Sequence, residues 1–244
     1  MTQSLSPKKI KDSAGKKATD KTGYGIISYT TPSRDPATGV FYGILQAGGP
    51  HDGGSVYKLA LSGGVWTYTT LHNFNDNSSD PGYANGCNPW SLLFGPDGDL
   101  YGTALYCGLG GGTVYRLSHS TGSGTGWGFN LLYSFGTSST SLNVAYPYGL
   151  LIGLNGLLYG GAAEGGSSAY GMIYSLTRPV AGTGGGPWTE AVIHNFTGGP
   201  GDGIYPLSGV ILGPAGSLYG TTGGGSLSDT SCGTDPKAAE LYFS

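Results

Sequence analysis

The chain has 244 residues, room for one large domain or two small ones. Its 38% hydrophobic and 12% aromatic content provides apolar surface to bury, yet only 10% of residues are charged and 49 are glycine. Glycine does not recur at every third position, which excludes collagen, and no apolar run reaches the ~18–20 residues of a membrane-spanning helix. Richness in Gly, Thr, Ser and Tyr with little Glu, Lys or Ala speaks against helices and leaves a turn-rich all-β chain.

The N-terminus carries Lys8, Lys9, Lys11, Lys16, Lys17 and Lys21, six of the eleven basic residues. It has neither aromatic interleaving nor an apolar stretch after the lysines. Residues 1–22 therefore read as a disordered, Lys-rich tail and not as a signal peptide. From residue 22 onward five basic residues stand against twelve acidic ones, an unsuitable balance for binding nucleic acid.

A repeat organises the rest of the chain. A turn residue, Gly, any residue, Leu or Phe, Tyr and Gly recur at Gly39–Gly43, Gly98–Gly102, Gly156–Gly160 and Gly216–Gly220, with Tyr-to-Tyr spacings of 59, 58 and 60. The units run approximately 23–75, 76–136, 137–197 and 198–244 within one domain, 23–244. An apolar stretch (91–94, 149–152, 209–212) precedes each of the last three turns. A two-residue Asp-Gly or Asn-Gly turn pairs it with the Leu-Tyr-Gly stretch as a hairpin. A third strand follows at 56–59, 114–117 and 173–176. The fourth runs from Trp66, Trp127 and Trp188 to Phe74, Phe135 and Phe196, eight residues on in every case. Strict alternation would set Trp and Phe on one face of that strand, as packing between neighbouring sheets. Short antiparallel strands repeated in this way predict a β-propeller-like fold of about four blades with four strands each.

Residues 188–225, WTEAVIHNFTGGPGDGIYPLSGVILGPAGSLYGTTGGG, carry a resemblance. A Trp strand ending in His194 and Phe196, then Asp202-Gly203, Pro206 and a Gly216–Thr222 core, is similar to the Gloeobacter/Verrucomicrobia-type repeat. The likeness covers roughly residues 36–234. It implies an exported, propeller-like repeat protein and says little about activity. The first unit departs by an insertion around 32–37, and the last departs after Cys232-Gly233-Thr234.

The last blade reads as incomplete. Leu241-Tyr242-Phe243 can form its third strand, but no Trp-x7-Phe segment follows. The tail could donate a strand to close the ring, or a second copy could complete it, giving a homo-oligomer through the open last blade.

Strand connectivity collects the long variable segments 44–55, 75–88, 103–112, 136–146, 161–171, 197–205 and 221–236 at one end, where binding residues usually sit. Tyr83, Trp90, Tyr106, Tyr146, Tyr148, Tyr170 and Tyr205 fall there. Amphipathic rings on a hydroxyl-rich, weakly charged surface suit the apolar faces of sugars. Trp90 and Tyr148 follow Pro89 and Pro147 at equivalent positions, a placement that also suits loop packing. Asp80 and Asp202 complete the candidate set; Asp52, Asp76, Glu164 and Asp229 are the other acids at that end. Asp202, within Gly-Pro-Gly-Asp-Gly, also fits a turn. His72 and His194 share a slot with Tyr133, which points to a planar ring with one polar tip at a blade edge. Cys87 and Cys107 fall at the same end of one repeat, and both pairing and two free thiols remain open. Cys232 stands apart. No CxxC, HExxH, Walker or Gly-x-Ser-x-Gly motif occurs, so no metal or cofactor is expected.

The reading is a secreted or cell-surface propeller, non-catalytic, binding a glycan or serving a structural role. The alternatives are a carbohydrate-active hydrolase or lyase using acids at the channel mouth, and a self-assembling scaffold.

Overall fold

The computed structural model describes residues 10–12, 30–120, 122–136, 145–154, 156–179, 188–199, 202–225 and 240–243. They form four sheets that succeed one another along the chain. The first contains β1 (Ile10–Asp12), β2 (Ser33–Arg34), β3 (Phe41–Leu45), β4 (Asp52–Ser62) and β5 (Val65–Asn75), in the order β1-β5-β4-β3-β2. The second is β6 (Cys87–Phe94), β7 (Leu100–Tyr106), β8 (Thr113–His119) and β9 (Trp127–Ser134). The third is β10 (Pro147–Ile152), β11 (Leu158–Ala162), β12 (Met172–Thr177) and β13 (Thr189–Asn195). The fourth is β14 (Ile211–Leu212), β15 (Leu218–Thr221) and β16 (Glu240–Phe243). The architecture is all-β and propeller-like, with four short-stranded blades.

The hairpins lie where the Tyr-Gly repeat sets them, but their turns are longer than expected. Gly95 donates to Asp99 O at 2.8 Å and Gly98 to Gly95 O at 3.1 Å, so the loop is residues 96–98. Only the glycine is left-handed, with φ 83° at Gly98. This is a turn followed by a one-residue bulge, which fits the strand twist as a two-residue turn does but needs a single positive φ.

Blades pack face to face. One apolar cluster joins Tyr42, Ile44, Val56 and Phe74 of the first sheet to Leu100, Tyr115, Leu117 and Trp127 of the second. Another joins Val114, Leu132 and Phe135 to Leu158, Tyr174, Leu176 and Trp188 of the third. A smaller one joins Ile173 and Phe196 to Val210 and Leu218 of the fourth. The ends of the fourth strands therefore face opposite ways, contrary to strict alternation. Leu131 pairs with Tyr115, but Tyr133 pairs with Val114, leaving Leu132 as an extra residue. The same slip occurs at Val56/Tyr57 and Ile173/Tyr174. A bulge reverses the face of everything beyond it. Trp127 thus packs backward, its ring 5.6 Å from Tyr42, while Phe135 packs forward, 5.0 Å from Tyr174. Both are mortar between sheets, as expected, but on opposite sides of their own.

The slot shared by His72, Tyr133 and His194 lies just beyond this bulge. The Tyr133 hydroxyl reaches Glu190 Oε2 at 3.3 Å, and His194 Nε2 meets Asp202 Oδ1 at 3.1 Å. His72 departs from the polar-tip expectation. Its ring stacks on Phe129 at 4.1 Å, its Nε2 is buried without a hydrogen-bond partner among the described residues, and burial pushes its pKa down to about 4. Glu190 occupies in the third blade the place of Phe129 in the second. Burial raises its pKa, opposed by the Tyr133 hydrogen bond, and Oε1 has no partner among the described residues. A carboxyl raised in the folded state favours folding most at low pH and loses that contribution as pH rises through its folded pKa. Glu190→Gln is therefore expected to stabilise the protein at pH 7 by about 0.5 kcal/mol, a figure discounted for the water reaching a half-buried group. The gain should vanish near pH 4, and thermal melts of both proteins across that range would check it.

Three residues of the expected disordered tail are ordered. β1 lies parallel along β5, with Ile10 opposite Trp66 and Asp12 opposite Tyr68. It extends the first blade and does not supply the fourth strand of the last. The rest of the lysine tail lies outside the described residues. The C-terminal strand forms as expected, β16 pairing antiparallel with β15 through Gly220–Leu241 and Tyr219–Tyr242. Cys232 and Asp229 lie outside the described residues. Among the described residues, no helix is long and apolar enough to cross a membrane.

Candidate functional site

The innermost strands β6 and β10 enter from the loop-bearing end, and each begins with a defect. Pro89 pairs with Ala104 and Ser91 with Thr103, so Trp90 is an extra residue. Pro147 pairs with Ala162 and Gly149 with Gly161, so Tyr148 is extra in the same way. Each proline is wedged against the preceding blade, its Cδ 2.6–2.7 Å from where a Cβ of Gly54 or Gly112 would stand. A bulge pinned by a proline turns the next side chain out of the sheet's alternation. The Trp90 and Tyr148 rings consequently meet edge to face at 4.9 Å, bridging the second and third blades.

A second pair stands beside them. Tyr106 ends β7 and is 46% exposed; its ring lies 5.2 Å from that of Tyr146, again edge to face. Tyr146 has φ 45°, in the left-handed region that a bulky side chain rarely adopts. Two hydrogen bonds hold it there: its amide to Gly111 O at 3.0 Å and its carbonyl from the Ala163 amide at 3.2 Å. Backbone strain of this kind costs ~1–3 kcal/mol and is concentrated at functional sites. The next residue along that strand extension is Glu164, exposed, its amide bonded to Ala145 O at 3.1 Å. Burial, then the Glu164 charge and Tyr106, raise the Tyr146 hydroxyl pKa; burial, then Tyr106 and Glu164, raise that of Tyr148. Four rings and one carboxylate therefore share a surface across two blades.

A disulfide joins Cys87 to Cys107, Cα atoms 5.4 Å apart. Cys87 lies opposite Tyr106 in the sheet register and Cys107 follows it, so the bond clamps the strand ends that carry Trp90 and Tyr106.

The other expected site residues lie elsewhere. Tyr170 and Tyr205 form a separate pair at the third–fourth boundary, rings 6.2 Å apart, with Tyr205 at φ 56°. Tyr83 sits on the 3-10 turn Pro81–Asn85, its carbonyl accepting the Gly86 and Gly108 amides. Asp80 caps that turn, accepting from the Gly82 amide at 2.8 Å. Asp202 takes the Thr197 amide and hydroxyl at 2.8 and 2.7 Å besides His194, and these hydrogen bonds hold its pKa down against its burial. Glu164 is the member absent from the expected ligand set; its signal was its place five residues after Tyr159, where the second unit has Tyr106. A cavity between the third and fourth blades, lined by Ile173, Phe196, Pro206, Val210 and Thr221, holds ≈ 10 Å³, about one water and too little for a sugar.

Successive sheets of three to five short strands packed face to face, with aromatic loops collected at one end, define a repeat-built β-propeller-like protein. The chain belongs to the Gloeobacter/Verrucomicrobia repeat family, whose model matches residues 16–234. No curated protein sequence matches it. Distantly similar solved structures include two from bacteria. PorZ, a bacterial surface component of the type-IX secretion system of Porphyromonas gingivalis, has a TM-score of 0.47 and 11% identity, over 86% of this chain and 26% of that one. The PQQ-bound aldose sugar dehydrogenase of Streptomyces coelicolor has a TM-score of 0.41 and 14% identity, over 81% and 58%. The chain thus spans about a quarter of the first and somewhat over half of the second.

Proposed function

We propose that this chain is a non-catalytic binding propeller acting outside the cytoplasm, and that its ligand is a glycan laid across Trp90, Tyr106, Tyr146 and Tyr148. The observation that carries this reading is the convergence of the four rings by costly means: two bulges and a left-handed tyrosine. The left-handed backbone itself belongs to the repeat, since Asn88 before Pro89 has φ 55° and Tyr205 before Pro206 has φ 56°; what the fold does not require is a tyrosine at Tyr146, because an asparagine fills the same place. Exposed amphipathic rings bury the apolar face of a sugar while leaving its hydroxyls to water and neighbouring polar groups. The Cys87–Cys107 bond fits an oxidising compartment.

Tyr146→Asn tests the reading. Relief of the backbone offsets the lost ring contact, so stability should stay within about 1 kcal/mol of the parent. Binding to whichever glycan is retained on an array should weaken about tenfold. Undiminished binding would place the ligand elsewhere. A reducing-sugar assay on the same polysaccharides should show no new ends; their appearance would favour the hydrolase reading.

A further inference from the structure

We propose that the ring surface selects glycans bearing free amines, polymers of deacetylated amino sugars, over neutral or acidic ones. This rests on the glycan reading above and adds the charge of the ligand. The described residues of the loops at this end include no lysine or arginine, yet they hold Asp52, Asp76, Asp80, Glu164 and Asp202. Among the described residues the arginines lie toward the opposite, hairpin end, where carboxylates attend them. Arg116 pairs with Asp99 at 3.6 Å, Arg178 with Asp97 at 3.7 Å, and Arg34 precedes the Asp35 turn. Lys58 stands mid-strand opposite Tyr42. Among the described residues, the rings thus open onto an end that holds carboxylates and no lysine or arginine.

Each part of that surface favours an ammonium group. The faces of Trp and Tyr attract cations. Glu164, exposed beside Tyr146 and Tyr148, supplies an anion at the rim. The excess of carboxylates over cations at this end raises the local concentration of cationic ligands and repels uronic-acid or sulfated polymers. A neutral glycan gains the stacking alone. An amino-sugar polymer presents a stackable ring and a cation in every unit, which matches aromatic pairs repeated along the surface.

The test is calorimetric titration of the full, oxidised chain with oligomers of glucosamine, N-acetylglucosamine, glucose and glucuronic acid, and with oligolysine, at a pH where the amines are protonated. The glucosamine oligomer should bind about tenfold tighter than its N-acetylated counterpart, with the preference shrinking as salt rises. Glu164→Gln should narrow that preference several-fold, read as the ratio of the glucosamine to the N-acetylglucosamine affinity. Equal or tighter binding of the N-acetylated or glucose oligomer would overturn the amine selectivity and leave the glycan reading standing. Oligolysine binding as tightly as the glucosamine oligomer would show that charge alone is read, and would overturn the assignment to amino sugars. If none of the sugars bound, the glycan reading itself would fall.

Discussion

Alanine at Gly102 or Gly160 is expected to destabilise the protein by about 3 kcal/mol, the upper end of the usual cost of overpacking a core. A methyl at Gly102 would stand 2.4 Å from the Tyr115 ring and 2.5 Å from Ser91 O; at Gly160 it would stand 2.4 Å from the Tyr174 hydroxyl and 2.8 Å from Gly149 O. The glycine of these two Leu-Tyr-Gly stretches is thus the floor on which the third-strand tyrosine lies. Tyr115 and Tyr174 are 0% exposed and enclosed by the adjoining blade, so neither ring can step aside. The first blade supplies an internal control. Gly43 faces Tyr57 at the same 2.4 Å, but Tyr57 lies on a half-buried face and its side chain can swing outward. Gly43→Ala should cost about 1 kcal/mol or less for that reason. Urea unfolding midpoints with unchanged slopes would measure the ranking. Equal costs in all three blades, or a neutral Gly102→Ala, would show that the steric floor is not what selects glycine.

The same Leu-Tyr-Gly stretches explain what the sequence made legible. Their spacing of 58–60 residues located the first hairpin of the last three blades and placed Leu241–Phe243 as a third strand. Periodicity failed where the chain inserts one residue. Trp66 and Phe74 are an even number of residues apart, so alternation puts them on one face, and nothing in their identities marks Leu71 as the bulge that parts them. β1 was illegible because three residues of a lysine-rich segment carry no periodic signal, and only the open edge of β5 gives them a place. The candidate site divides the same way. That the rings lie at one end followed from connectivity. That Trp90 meets Tyr148 and Tyr106 meets Tyr146 depends on two bulges and a left-handed φ, which are tertiary outcomes. Asp80 and Asp202 resembled ligand groups because a turn-capping carboxylate and a binding one look alike until their partners are seen.

Loss of the Cys87–Cys107 bond is the second large effect to expect. A cross-link spanning 20 residues restricts the unfolded chain enough to contribute about 3 kcal/mol. Both cysteines are almost fully buried, at 2% and 5% exposure, so Cys87→Ala/Cys107→Ala removes the bond with little added polarity or bulk. Cys107 has φ 66°, a conformation that a non-glycine residue holds only under constraint, and its neighbour Gly108 continues it at φ 65°. Without the clamp, the segment just after Tyr106 should relax first, because single hydrogen bonds then hold it: the Gly108 amide to Tyr83 O at 2.9 Å and the Leu109 amide to Ser134 Oγ at 2.9 Å. Tyr106 would then leave Tyr146 while Trp90 and Tyr148 stay pinned by their prolines. The double variant should therefore unfold at lower urea concentration by about 3 kcal/mol. At temperatures where it is still folded, it should also bind glycan about tenfold more weakly, as Tyr146→Asn does, because both changes remove the same ring pair. Combining the two should weaken binding little beyond either alone, since residues acting through one contact are not additive. Full additivity, or a double cysteine variant with unaltered affinity, would mean that the disulfide serves the fold and not the binding surface.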